Sequence, residues 1–187
     1  MTVSPELDAR FREAAAAEGL LDVAYEIADS PIGPLLLAAS GRGLCRISFD
    51  PEPERELERL SRAFGARVLR SSRPLDPARR QLDEYFEGGR QEFELDVDVE
   101  RLTPFNRRVL EQLARVPYGA LTTYGTLARE AGRPRAARAV GTVMNRNPIP
   151  IVLPCHRVVG STGSLVGYAG GLKRKEQLLR FEGALAV

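Results

Sequence analysis

The sequence predicts an α+β chain in two parts, an N-terminal α+β unit followed by a mostly helical unit with a helix-turn-helix outline. Three observations carry this. Hydrophobic periodicity changes near residue 100 from short apolar runs to helical spacing, a helix-turn-helix pattern follows, and the charge changes sign at the same place. Residues 1–100 carry 13 Lys/Arg against 21 Asp/Glu, a net of −8, whereas residues 101–187 carry 14 against 4, a net of +10. A basic half beside an acidic half predicts a polyanionic partner, nucleic acid, for the second half and not the first.

Taken in order, Ser4-Pro5 followed by Glu6-Leu7-Asp8-Ala9-Arg10-Phe11 reads as a capped helix start with proline at the first helical position. This helix runs to Gly19, so residues 1–22 are expected to form an N-terminal helical extension for docking. Short apolar runs at Tyr25–Ala28, Leu35–Ala39 and Leu44–Phe49, separated by Pro31-Ile-Gly33-Pro34 and Gly41-Arg-Gly43, predict an antiparallel meander. Asp50-Pro51 opens a charged helix to about Gly65, and a second runs from Leu75-Asp-Pro77 to Gly88-Gly89. Alternating Phe93, Leu95, Val97 and Val99 predict a strand that closes the unit spanning 23–100.

The boundary falls at residues 100–103, because Thr103-Pro104 starts a helix with Phe105, Val109, Leu110 and Leu113 on one stripe. The second unit is therefore 101–187. Within it Leu121–Ala131 is a short helix, Gly132-Arg-Pro134 a turn, and Arg135–Met144 a second helix. Arg135 and Arg138 stand three residues apart among Ala136, Ala137, Ala139 and Gly141. Such a small-residue face can press against a DNA groove while guanidinium groups meet phosphates or enter the base stack.

Composition excludes several classes. No run reaches the roughly 18 apolar residues of a membrane span, and the start lacks the basic-then-apolar order of a signal peptide, so a cytoplasmic protein with no membrane partner is expected. Cys45 and Cys155 are too few for a disulfide framework, and with His156 as the only histidine they cannot supply a four-ligand Cys/His zinc site. No metal and no cofactor is expected.

The segment after the second helix carries the chemistry. Asn147-Pro148 stops the helix, and Ile149-Pro-Ile-Val-Leu-Pro154 is expected as an extended apolar lead into Cys155-His156-Arg157. Cys45, within an apolar strand, reads as a core residue, and Cys155 as a nucleophile. A thiol near its reference pKa of about 8.5 is only a few per cent thiolate at neutral pH, so activation predicts a lowered pKa or a base that takes the proton. Because neighbours on an extended segment point to opposite faces, His156 is expected to reach the sulfur through a local bend or a bridging water. A carboxylate must then orient the imidazole, and Glu111, Glu130, Glu176 and Glu182 are the candidates that spacing leaves open.

Pro154-Cys-His-Arg-Val158, with Arg138-Ala-Val-Gly141 and Asn147-Pro148 before it, resembles the methylated-DNA–protein-cysteine methyltransferases, also called O6-alkylguanine-DNA alkyltransferases. The likeness spans about 103–183, including Val116-Pro-Tyr-Gly119, Thr123-Tyr-Gly125 and Gly163-Ser-Leu-Val-Gly-Tyr168-Ala-Gly-Gly-Leu172. Over 23–100 it rests on element order and Tyr85-Phe86-Glu87-Gly88.

The resemblance implies a ribonuclease-H-like α+β domain and a winged-helix-like domain whose recognition helix enters the minor groove of double-stranded DNA containing O6-alkylguanine. It implies irreversible alkyl transfer to Cys155, with His156 as water-bridged base, Glu182 as the carboxylate and Asn147 organising the turn before the cysteine. Arg138 would replace the extruded nucleotide, Tyr124 would crowd its phosphate, and Arg135 and Ala137 would lie on the DNA face. Met144, Pro150, Val158, Tyr168 and the Ala169 backbone would line the base pocket. A monomer is implied, with cooperative binding along DNA left open. Ala169 stands where several relatives have Ser, and zinc held by Cys and His in some relatives has no ligand set here. The alternatives are a non-reacting lesion-binding relative, a helix-turn-helix regulator and a Cys/His hydrolase.

Overall fold

The computed structural model describes residues 4–185, so the opening Met1-Thr-Val3 lies outside it. The chain divides into two compact units, 1–98 and 99–187.

In the first unit, α1 (Pro5–Ala17) begins where the Ser4 hydroxyl accepts the Leu7 N–H at 3.2 Å, the usual side-chain cap for an orphan amide. The helix belongs to the unit that follows it: Ala15 is buried, and the Ser71 hydroxyl donates to the Glu13 carboxylate at 3.3 Å. Strands β1 (Val23–Ala28), β2 (Leu35–Ser40) and β3 (Gly43–Phe49) form the expected antiparallel meander, and β4 (Val68–Arg70) joins β1 in parallel. The order is β3-β2-β1-β4. Leu35 to Ala39 are all buried, the continuous apolar run of a strand covered on both faces.

Over the sheet, α2 (Pro53–Phe64) packs Leu60 among Val23, Leu36, Ala38 and Cys45, a burial worth about 1.5–3 kcal/mol for such a side chain. Cys45 is a core residue. Its thiol donates to the Ala38 carbonyl at 3.3 Å, and burial pushes its pKa up to about 12. A 3₁₀ turn over Arg73–Leu75 packs on β1 and β2 and leads into α3 (Asp76–Phe86).

The alternation of Phe93, Leu95, Val97 and Val99 does not produce a strand. The segment's backbone meets the sheet at one bridge, Leu44 with Val97, through two 2.8 Å hydrogen bonds, beside which the Ser40 hydroxyl donates to the Asp98 carboxylate at 2.6 Å. Elsewhere a side chain takes over: the Gln81 amide donates to the Glu94 carbonyl at 2.9 Å and accepts the Glu94 N–H at 2.8 Å. Gly43 permits the single crossing, since a Cβ there would lie 2.3 Å from the Asp96 carbonyl oxygen.

In the second unit, α4 (Pro104–Ala114) is capped by Thr103, whose hydroxyl accepts the Asn106 N–H, and it buries Val109, Leu110 and Leu113. The short β5 (Thr122–Thr123) and β6 (Val158–Val159) pair in parallel. Thr123 then caps α5 (Tyr124–Glu130), and α6 (Ala137–Asn145) follows after a turn. Helices α4, α5 and α6 contact one another as a three-helix core, and α7 (Leu172–Phe181) packs against the turn that carries Cys155. The second helix of the pair starts two residues later than its sequence suggested, leaving Arg135 in the turn. No helix among the described residues is long and apolar enough to cross a membrane.

Candidate active site

The stretch between α6 and Cys155 is folded back on itself, not extended as expected. Buried Asn147 directs this: its side-chain oxygen accepts the Ile149 N–H at 3.1 Å, and its amide donates to the Leu153 carbonyl at 2.7 Å. That is an Asx-type turn tied across to the chain entering the cysteine. Ile151, fully buried, takes a left-handed φ of 75°, a conformation that β-branched residues rarely adopt and that the packed surroundings must hold. The result places Cys155, His156 and Arg157 on one 3₁₀ turn. A local bend therefore replaces strand alternation at these residues.

Glu182, at the end of α7, is the carboxylate that meets the histidine; His156 Nε2 lies 2.8 Å from its Oε1, with both side chains inaccessible to solvent. The same carboxylate accepts Arg157 Nε at 2.8 Å and Arg157 Nη2 at 2.9 Å, a two-pronged ion pair. The Gly119 N–H adds a longer contact at 3.4 Å. A carboxylate saturated by donors stays ionised and can only accept, so His156 must carry its proton on Nε2. Nδ1 is then the basic nitrogen, and it has no hydrogen-bond partner among the described residues. Burial pulls the His156 pKa below its ordinary value; Glu182 opposes that, while Arg157 and Lys175 reinforce it.

Cys155 is 2% exposed. Sequence chemistry anticipated a thiol of lowered pKa or one served by a base; in the free protein burial instead pushes the pKa up to about 11, with an Asn147 hydrogen bond and the Lys175 charge acting in the opposite direction. Lys175, on α7, is itself fully buried and donates to the carbonyls of Val158 and of Val166, the latter at 2.8 Å. Burial draws it down to about 8. At neutral pH the resting cysteine is thus a thiol, and its proton must leave during reaction. Ultraviolet thiolate absorbance lost in Cys155→Ser should appear only as pH approaches 11. The folded chain holds this proton more tightly than the unfolded chain, so stability present below pH 9.0 should fall as pH rises toward 11. A thiolate signal at neutral pH would contradict the assignment.

Around this centre, Met144, Pro150, Val158 and Tyr168 are buried, and Ala169 is exposed. The Tyr124 hydroxyl donates to the Val166 carbonyl at 3.1 Å, and a Cβ at Gly141 would lie 3.9 Å from the Tyr124 ring, so that tyrosine packs on α6. Arg138 is exposed on α6 beside half-buried Ala137, and Arg135 is exposed in the preceding turn. Among the described residues no group of three or more His, Cys, Asp or Glu could hold a metal ion.

Comparison with known proteins bears on both units. Residues 23–99 match the ribonuclease-like domain of 6-O-methylguanine DNA methyltransferase, and residues 104–184 match its DNA-binding domain. A methylated-DNA–protein-cysteine methyltransferase of Methanosarcina barkeri is 43% identical over 158 residues, covering 84% of this chain and 96% of the relative. The chain belongs to the methylated-DNA–protein-cysteine methyltransferase family. Another methyltransferase, from Mycobacterium leprae, is 43% identical over 154 residues, covering 82% of this chain and 88% of its own. Among solved structures, Mycobacterium tuberculosis OGT in complex with DNA aligns with a TM-score of 0.75 and 39% identity over 86% of this chain and 93% of that one. The fold is accordingly the family's, a ribonuclease-H-like first domain and a helix-turn-helix second domain.

Arg157 and Lys175 escaped the sequence reading. Arg157 is the fourth residue of the Pro154–Val158 motif, where an extended chain would not have brought it to Glu182. Lys175 sits in the run Lys173-Arg174-Lys175, which reads as solvated, yet 175, 178, 179 and 182 share one helical stripe with Leu178 and Leu179. A charged residue on an otherwise buried stripe was the available signal.

Proposed function

We propose that this methyltransferase repairs DNA by direct reversal, taking the alkyl group from the O6 atom of a flipped guanine onto Cys155, once per molecule. The observation that carries the reading is a buried thiol on the same 3₁₀ turn as a histidine 2.8 Å from the Glu182 carboxylate, in a family whose members bear that activity in their names. The target oxygen belongs to the pairing edge of guanine, beyond a thiol's reach within the stack, so the base must leave the duplex.

The chain's own residues divide the work as follows. The Sγ proton passes to Nδ1 of His156, by way of a bridging water, and the imidazolium is balanced by Glu182. A bond forms between sulfur and the alkyl carbon as the carbon–O6 bond breaks, its electron pair stays with guanine, and the proton ends on a ring nitrogen of the released base. Asn147 holds the turn that aims the thiol. Met144, Pro150, Val158, Tyr168 and the Ala169 backbone line the base pocket. A thioether is not cleaved by a thiol, and residues 99–187 contain no cysteine besides Cys155, which makes the protein its own spent reagent.

On the DNA face, α6 lies in the minor groove of duplex DNA with Ala137 close to the backbone and Arg135 on a phosphate. Arg138 fills the gap left by the extruded base, and Tyr124 crowds the adjacent phosphate. The reacting unit in this reading is a monomer. Arg138→Ala should slow transfer from duplex DNA by about 10-fold or more, since unstacking a base costs a few kcal/mol, while leaving transfer from the free modified base nearly unchanged. Equal slowing with both substrates in single-turnover kinetics would rule out the extrusion role.

A further inference from the structure

Arg157 has a place in the site that goes beyond filling space. It is 5% exposed, and each of its three guanidinium nitrogens is engaged. Nε and Nη2 grip Glu182, while Nη1 donates to the Val116 carbonyl at 2.6 Å. Its cradle is the turn Val116–Gly119. Tyr118 lies with its ring 5.8 Å from the guanidinium carbon and its hydroxyl on the Phe181 carbonyl, and Gly119 approaches so closely that a Cβ there would lie 2.9 Å from the Glu182 carbonyl oxygen. Two separated stretches of chain thus hold one cation against one carboxylate, beside the only histidine.

We propose that Arg157 is a positioning residue for alkyl transfer: by clamping Glu182 it keeps that carboxylate ionised and His156 neutral with its proton on Nε2, leaving Nδ1 open to receive the Cys155 proton. The charged groups acting on His156 are Glu182 and Lys175 from the last helix and Arg157 from its own turn; the other titratable groups nearby are Cys155, next to it on that turn, and Tyr118 behind Arg157. With Glu182 alone, a buried carboxylate 2.8 Å from the ring would draw a second proton onto the imidazole. Arg157 supplies the opposing charge, so the imidazolium forms only when the thiol proton arrives. The proposal rests on the transfer reading above for its consequence, but its physical content is a property of the free protein.

One histidine in 187 residues makes the test direct, because the imidazole nitrogen resonances of the full-length protein need no assignment. In the wild type they should report the Nε2–H tautomer and a pKa below the ordinary 6.5. Arg157→Gln should raise the His156 pKa by about 1–2 units, the size expected for removing a nearby buried charge. The transfer rate should then acquire an acid limb at that same raised value. Arg157→Lys, which keeps the charge and loses the fork, should restore most of the low pKa.

An unchanged His156 titration in folded Arg157→Gln would overturn the proposal, as would a wild-type ring protonated on Nδ1. Should Arg157→Gln fail to fold, the wild-type tautomer and the Arg157→Lys titration still decide. Loss of transfer in the wild type, with the tautomer and titration as stated, would count against the alkyl-transfer reading and not against the clamp.

Discussion

Cys155→Ser is expected to abolish alkyl transfer while leaving affinity for duplex DNA within a few-fold of the wild type. The side chain is nearly inaccessible and close in size to serine, so the substitution removes the nucleophile without opening a cavity. A serine hydroxyl in the same place is far less acidic than the thiol, whose pKa burial already pushes up to about 11. In the proposed binding mode DNA meets a separate set of groups, Arg135, Arg138 and the small-residue face of α6. Transfer measured by radiolabelled methyl and binding measured by anisotropy separate the two: residual transfer would mean another acceptor, and lost binding would mean that the cysteine also shapes the DNA face.

Glu182→Ala is expected to damage fold and chemistry together. The substitution leaves Arg157 and His156 buried around an empty position, and breaking a buried ion pair from one side costs about 3–5 kcal/mol. For a chain of this size that lowers the melting temperature by roughly 6–20 °C. Transfer should slow by at least about a hundredfold in the fraction that remains folded, because His156 loses both its fixed tautomer and the counter-charge for its imidazolium. Thermal denaturation followed by circular dichroism and single-turnover kinetics below the transition check the two effects separately. A melting temperature unchanged within a degree or two would show that the pair is not the buried, unsolvated contact described here.

Much of this was legible in the sequence, for reasons that can be named. Ser4 and Thr103 each cap a helix because a side-chain oxygen replaces a missing carbonyl acceptor, a local effect that a few residues determine, whereas the helix expected from Leu121 starts only at Tyr124 with Thr123 as its cap. The buried strand Leu35–Ala39 announced itself as an unbroken apolar run. The segment at 93–99 misled because its alternation is real, but Gln81, distant in sequence, supplies the backbone partners that a neighbouring strand would have given.

The site divides along the same line. Cys155, His156 and Asn147 could be singled out from the chain itself, whereas Glu182 required the family resemblance to choose it from four carboxylates. The compact turn from Asn147 to Pro154 was hidden because apolar and proline residues suit an extended segment equally well, and it is folded by the two Asn147 side-chain hydrogen bonds together with the Leu153 N–H on the Ile149 carbonyl. That fold brings Arg157 to Glu182, which is why the clamp appears in the structure and not in the motif.

The most direct test of the account is peptide mass mapping after incubation with a duplex bearing O6-methylguanine in excess. One methyl group per protein molecule is expected, carried on the peptide containing Cys155, with the peptide containing Cys45 unmodified and no further consumption of DNA. A methyl group on Cys45, continued turnover of lesions, or an unmodified Cys155 peptide after the lesion has disappeared would contradict it.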